Sequence, residues 1–341
     1  MAKRTYTIGK LPLDVLERLL ARAPILDRRV RVGPRVGVDA AVIDCGANCL
    51  VLKSDPITFA ADRIGWYAVH VNANDIATMG ARPRWLLVTA LLPEGAATRR
   101  LVERIFDDLS EACRALGVSL CGGHTEVTGG LDRPILCGHM IGEVERRRLV
   151  VPDRVRVGDR VLLARGIAIE GTAVAAHERR AAVERALGTM MARRARQLLD
   201  RPGISVVKAA LAANDAARVH AMHDPTEGGL AMGLYELARA ARIGLAIDRD
   251  AIPILPETSA LCGKFRLDPL KLLASGALVI VCAPKAVRVI RQALERDGVP
   301  VAEIGVVRPR RAGVTLAGKG RARKISSFSV DEIARFLAQR A

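Results

Sequence analysis

The residues best equipped for chemistry lie in Val71-Asn72-Ala73-Asn74-Asp75-Ile76-Ala77-Thr78-Met79-Gly80-Ala81-Arg82-Pro83. Two amides and a carboxylate interrupt an apolar segment that ends in Gly and Pro. Left unpartnered among Ile, Ala, Met and Val, such groups cost several kcal/mol, so they must bond the backbone, a metal or a ligand. The plainer reading is a capped helix, since Asn and Asp are ordinary N-cap residues. Other carboxylates shift the balance. Asp39 lies in Val36-Gly37-Val38-Asp39-Ala40-Ala41-Val42-Ile43-Asp44, and Asp55 ends the run Cys49-Leu50-Val51-Leu52-Lys53-Ser54-Asp55, both at expected strand edges. Leu120-Cys121-Gly122-Gly123-His124-Thr125-Glu126-Val127 and His223-Asp224-Pro225-Thr226-Glu227-Gly228-Gly229-Leu230 each set polar groups and glycines beside an apolar element. Hard carboxylate oxygens from several segments suit Mg²⁺ on a nucleotide's phosphates, and glycines let backbone N–H groups approach phosphate oxygens.

The elements that must position these groups follow from apolar spacing. Leu13, Leu16, Leu19 and Leu20 predict an opening helix, followed by strands near Ala40–Ile43 and Leu50–Leu52 and a loop carrying Asp55, Pro56 and Asp62. Leu101, Ile105, Leu109, Ala112 and Leu116 share one face of a helix from Ala97 to Leu116, which Gly117 stops. Strands Val118–Cys121 and Ile135–Glu143 should flank a Gly-His-Thr-Glu loop. Pro, Gly and charge in Val151-Pro152-Asp153-Arg154 and Gly158-Asp159 mark a join, placing domains at 1–153 and 154–341. Beyond it, a strand at Arg160–Ala164, helices over Gly171–Leu199, Ile204–Ala217 and Leu230–Arg242, and strands Leu245–Ile247 and Ala277–Cys282 alternate in an α+β manner.

Length and composition exclude several classes. With 341 residues, 50% of them hydrophobic, the chain can bury two cores. No run approaches the ~20 apolar residues of a membrane span and no signal-peptide core follows Met1, so a cytoplasmic protein is expected. Seven scattered cysteines argue against a disulfide framework, and Cys45 and Cys49 lack a second pair for zinc. The net charge of +17 invites a nucleic-acid reading, but the basic clusters are short and aromatics make up only 3%. Neither nucleic acid nor membrane is expected as a partner. Gly313-Val314-Thr315-Leu316-Ala317-Gly318-Lys319-Gly320 nearly fits a P-loop, yet Gly320 stands where Ser or Thr must hold Mg²⁺, so it reads as a basic hairpin or loop.

Taken in order, Thr7-Ile8-Gly9-Lys10-Leu11-Pro12, Asp39-Ala40-Ala41-Val42, Asn74 to Pro83, Gly122-Gly123-His124-Thr125, Asp224 to Leu230 and Asp268-Pro269-Leu270 resemble the superfamily of AIR synthetase, HypE, thiamine-monophosphate kinase and selenophosphate synthetase. HypE looks like the nearest member. The resemblance implies a two-domain α+β fold: an amino-terminal α/β half that dimerises through its sheet, and a ferredoxin-like carboxy-terminal half, with ATP bound in the cleft. It implies Asp39, Asp55, Asp75 and Asp224 as ligands of Mg²⁺, with Asn74 orienting them. Lys10, Gly122, Gly123, Thr125, Thr226 and Gly228 would contact the nucleotide. His124 stands where AIR synthetase, HypE and the thiamine kinase carry an acidic residue and selenophosphate synthetases a His; it, Asp224 and Glu126, which lies two residues on and so on the same strand face and could supply the missing carboxylate, are the expected catalytic residues.

The expected function is ATP- and Mg²⁺-dependent phosphoryl transfer to an oxygen of a small substrate by a homodimer. The alternative is a non-catalytic ATP-binding maturation or scaffold protein acting on a partner protein. The chain departs from HypE in Phe336-Leu337-Ala338-Gln339-Arg340-Ala341, which holds no cysteine to carry a carbamoyl group, the last being Cys282. Selenophosphate synthesis is disfavoured by the lack of a cysteine in the first forty residues.

Overall fold

The computed structural model describes Tyr6 and residues 9–58, 62–318, 322–326 and 331–338. Thr7 and Ile8 of the amino-terminal motif, Lys319 and Gly320 of the P-loop-like segment, and the last three residues lie outside the described residues. The chain divides into two compact units, one of Ile25–Gly33 and Asp39–Val150, the other of Met1–Pro24, Pro34–Val38 and Val151–Ala341. The division at Val150/Val151 falls three residues before the expected boundary at Asp153. Helix α1 (Leu13–Leu20) groups with the carboxy-terminal unit for a physical reason: Glu17 on it accepts two hydrogen bonds from Arg239, and nearby Lys10 pairs with Glu236.

The first unit contains β1 (Val30–Val32), β2 (Ala41–Cys45), β3 (Asn48–Ile57), α2 (Ile64–Thr78), β4 (Arg82–Pro93), α3 (Arg99–Leu116), β5 (Ser119–Thr128) and β6 (Ile135–Glu145). Its sheet runs β1-β2-β3-β6-β4-β5. Helix α3 forms as its apolar spacing predicts, capped by the Thr98 hydroxyl and ended by Gly117 in the left-handed region. Strand β4, which sequence reading leaves unassigned, lies inside the sheet next to its edge strand. It pairs with β6 on one side and β5 on the other.

Helix α2 is buried almost all round, so it shows little amphipathic pattern. It packs on β3, β6 and β4 on one side and against α3 on the other. Glycines admit it. A Cβ at Gly65 would stand 2.4 Å from the Ile105 carbonyl oxygen, and one at Gly142 would stand 2.2 Å from Ile76 Cγ2.

The second unit contains, after α1, β7 (Arg160–Ala164), α4 (Ile169–Glu178), α5 (Arg180–Leu187), α6 (Thr189–Gln197), α7 (Val207–Ala216), β8 (Val219–His223), α8 (Gly229–Ala241), β9 (Gly244–Asp248), α9 (Pro256–Phe265), β10 (Leu278–Cys282), α10 (Val287–Arg296), β11 (Val301–Arg308), β12 (Val314–Ala317), β13 (Arg323–Ile325) and α11 (Glu332–Ala338). The sheet order is β13-β12-β9-β11-β7-β10-β8, and its described pairings are antiparallel except β9 with β12. The helix expected over Gly171–Leu199 is three helices, because Arg179 (φ −115°, ψ 40°) and Gly188 (φ 81°) leave helical geometry. Strand β12, within the segment expected as a hairpin or loop, pairs antiparallel with β13. Val161, Leu163, Val279, Val281, Leu245 and Ile304 fill the sheet's core beneath α8.

The close approach of α2 to α3 yields a stability prediction. Gly65→Ala should lower the unfolding free energy by about 1–3 kcal/mol, the usual cost of overpacking, because backbone rather than a flexible side chain blocks the methyl group. Urea denaturation monitored by circular dichroism measures it.

Candidate cation-binding site

In β3 alternate residues share a face, so Lys53 and Asp55 point with Cys49, Val51 and Ile57 toward α2. The strand extends through Asp55 rather than ending before it, since Asp55 pairs with Gly138 of β6. Asn72 on α2 grips that backbone: Asp55 N–H donates to Asn72 Oδ1 at 2.9 Å, and Asn72 Nδ2 donates to the Asp55 carbonyl at 3.3 Å and the Ala68 carbonyl at 2.9 Å. Gly138 leaves room for this amide, because a Cβ there would stand 2.4 Å from Asn72 Nδ2. The expected orienting residue, Asn74, is fully buried two positions further on. Sequence reading missed Asn72 in this role, although it belongs to the same polar interruption of an apolar run.

The Lys53 ammonium lies 3.2 Å from Asp55 Oδ2 and 3.1 Å from Asp75 Oδ2. Burial works against its charge, but the Asp75, Asp55 and Asp39 carboxylates outweigh that and hold it protonated beyond the ordinary lysine range. Asp75 needs such a cation, because it is buried in the last turn of α2, where the helix dipole disfavours a carboxylate. Asp39, just before β2, stands with Oδ2 at 3.1 Å from the Thr78 hydroxyl, which also lies 2.8 Å from the Asp75 carbonyl. Asp39, Asp55 and Asp75 thus converge where β2, β3 and the end of α2 meet. Their hard oxygens fit Mg²⁺, and their ability to hold a cation is seen in the ammonium already seated among them.

The expected Gly-His-Thr-Glu loop is instead the exposed strand β5. One extra residue near Cys121 shifts its register against β4. Gly123 is required by packing, since a Cβ there would stand 1.9 Å from the Val88 carbonyl oxygen. The segment assigned to cradle phosphate through Gly122, Gly123 and Thr125 is thus strand rather than loop. His124 Nε2 lies 3.1 Å from Glu126 Oε2, on one face of the strand as expected. Register carries Asp55 through Gly138 and Val88 to Gly123, so the His124 side chain points to the opposite face from Asp55. Three strand spacings also separate the two strands, on the order of 14 Å. Within one protomer the structure does not bring His124 and Glu126 to the carboxylates.

In the second unit, Asp224 follows β8 and is 2% exposed. Lys10 stands 3.7 Å from Glu236 Oε1, so its ammonium is paired within its own unit. The Gly228 N–H, expected to meet phosphate, donates to Asp331 Oδ2 at 2.6 Å. Asp331 Oδ1 accepts from Leu273 N and Ile333 N. Thr226 contributes its carbonyl to Gly229 N and Ala274 N. Burial raises the Asp331 carboxyl to about 6 against these backbone donors, with Glu227 adding to the rise. Glu170, at the start of α4, is pushed up to about 7 by burial, opposed by a Ser275 hydrogen bond and reinforced by Asp331 and Glu227. Cys282 is fully buried in β10, its thiol pushed up to about 12 by burial and by Asp159 and Glu303, so it is no thiolate at neutral pH.

Fold and cluster define a two-unit α+β protein whose amino-terminal unit holds a cation among aspartates. Residues 37–144 match the AIR synthase related protein, N-terminal domain, and residues 156–317 match the corresponding C-terminal domain. The chain belongs to the AIR synthase-related family, and its relatives are HypE-like. It is 31% identical over 282 residues to carbamoyl dehydratase HypE of Rhizobium leguminosarum bv. viciae, covering 80% of this chain and 77% of that protein. A crystal structure of the hydrogenase maturation protein HypE in complex with ATP shares the fold with TM-score 0.70 at 24% identity, covering 93% of this chain and 91% of that one. HypE in a HypE–HypF complex does so at TM-score 0.70 and 22% identity, covering 92% and 99%. Among the described residues, no helix is long and apolar enough to cross a membrane.

Glu170 gives a pH prediction. Below about pH 4 its carboxyl is protonated in folded and unfolded chains alike. As pH rises from about 4 to about 7, the unfolded chain ionises it freely while the fold resists, so stability is lost, and the loss levels off once both states are ionised. Glu170→Gln should therefore match the parent protein near pH 4 and be more stable by about 3 kcal/mol at pH 8, at roughly 1.4 kcal/mol per pH unit. Denaturant midpoints at the two pH values decide it, and a difference independent of pH would refute the assignment.

Proposed function

We propose that this chain is an ATP- and Mg²⁺-dependent enzyme that passes a phosphoryl group from ATP to an oxygen of a small substrate. The phosphate either stays on the product or activates an amide or carboxamide oxygen so that nitrogen attack or dehydration follows. The observation that carries the reading is the convergence of Asp39, Asp55 and Asp75 around a cation, in a family that includes ATP-bound HypE. Mg²⁺ held there would neutralise phosphate charge as it develops. Asp224 is the second unit's candidate carboxylate for the same reaction. Because the Cys282 thiol is buried and protonated, the acceptor is assigned to a separate molecule rather than to that cysteine.

A homodimer formed through the first unit's sheet suits its bare face. Leu50, Leu52, Leu87, Leu91 and Ile141 lie half-buried on the side away from α2. His124 and Glu126 point to this same side, so in a dimer they would serve at or across the interface. The second reading, an ATP-binding maturation or scaffold protein, is favoured by one observation: the Gly228 N–H is engaged by Asp331 rather than offered to phosphate. HypE's complex with HypF makes a protein partner of that kind reasonable.

Calorimetric titration with a non-hydrolysable ATP analogue, with and without Mg²⁺, tests the proposal. Binding should require Mg²⁺ and weaken at least tenfold in Asp75→Asn, with phosphate release from ATP abolished in that variant and the fold retained. Absence of analogue binding to the parent protein overturns the proposal; binding without turnover on amides, carbamoyl donors or phosphate monoesters favours the scaffold reading.

A further inference from the structure

Lys53 is the group at the cation cluster whose presence the carboxylates alone do not explain. Asp39, Asp55 and Asp75 together carry a formal charge of −3, and the ammonium 3.2 Å from Asp55 and 3.1 Å from Asp75 reduces it to −2. One divalent ion balances what remains. The lysine is also firmly placed: its side chain is 19% exposed, it shares the α2-facing side of β3 with Asp55, and Asn72 fixes the backbone of Asp55 two residues on. Thus the strand that supplies one candidate ligand also supplies a competing cation.

We propose that Lys53 is a resident cation occupying one of the positions the aspartates would otherwise give to metal, so that it sets how many divalent ions the cluster takes and how tightly. This rests on the metal-binding reading above. A fixed positive charge a few ångströms from a divalent ion repels it, and only proximity to the carboxylates makes the combination tolerable. Lys53 is therefore a positioning and selectivity residue rather than a catalytic one. It also keeps Asp55 and Asp75 from repelling each other when no metal is bound.

The test uses metal alone. Mn²⁺ binding to the full chain without nucleotide, read by electron paramagnetic resonance, should be at least tenfold tighter in Lys53→Met than in the parent protein, and unchanged within threefold in Lys53→Arg, which keeps the charge. Thermal unfolding gives an independent readout: Lys53→Met should melt lower than the parent without metal and gain more from added Mn²⁺. Should Lys53→Met not fold without metal, it is refolded with Mn²⁺ and its affinity read by competition with a chelator of known strength, where the same tenfold gain over the parent is expected. Equal Mn²⁺ affinity in Lys53→Met and parent, by either route, overturns the proposal and leaves the metal reading intact. Failure of parent and Lys53→Met alike to bind Mn²⁺, alone or with the ATP analogue, overturns both.

Discussion

An ammonium shared by two carboxylates on different elements cannot be moved without moving both, and Lys53 ties β3 to the last turn of α2 in this way. Removing one member of a buried charge pair typically costs about 3–5 kcal/mol, because the partner is left uncompensated. Here the constraint is tighter still, since Asp75 stands against both burial and the helix dipole. The Asn72 amide adds hydrogen bonds to both sides of the Asp55 peptide, so the strand is held by its backbone as well as by its charge. Helix position, strand register and carboxylate geometry are consequently one problem with one solution. A slip of β3 by one residue would turn Lys53 and Asp55 to the other face and leave Asp75 buried without them.

Glycine has a different part in this from the one its motifs suggest. Gly138 and Gly142 let α2 settle onto β6, and Gly65 lets α3 settle onto α2. Gly123 brings β5 against the Val88 backbone. In each case the missing methyl group permits protein to approach protein. A helix that carries amides and an acid in its buried surface needs such closeness, because its polar groups find partners only at hydrogen-bond distance. The polar cluster and the small residues around it are therefore parts of a single packing arrangement.

What could be read from the sequence follows from the range over which each signal acts. Helix α3 and its Gly117 stop were legible because spacing and cap are local, whereas residues 313–320 left a hairpin and a loop both open. The convergence of Asp39, Asp55 and Asp75 was suggested by residue type and by order along the chain. Lys53 was not singled out, because a lysine beside an apolar strand ordinarily reaches solvent, and only the pairing of β3 with β6 beneath α2 turns it inward. Strand β4 escaped assignment although it pairs on both sides, and the Gly-His-Thr-Glu segment reads as a loop until β4 is there to pair with it. The opposite facing of His124 and Asp55 depends on register through four strands, which no local pattern encodes.

The second unit poses the same physical question with the signs reversed. Its glycine turn presents the Gly228 N–H, the usual equipment for an anion, and the anion it meets is Asp331, which also caps α11 through Ile333 N–H. Any external anion taking the Gly228 N–H must displace that carboxylate and loosen the first turn of α11 with it. The Asp331 carboxyl is raised to about 6 despite these donors, so burial and the acids around it already strain the contact as pH rises. Glu170 lies in the same electrostatic neighbourhood and resists ionising up to about 7. Negative charge at this turn is therefore already costly near neutrality, and an anion carrying more than one charge could settle there only if a cation accompanied it.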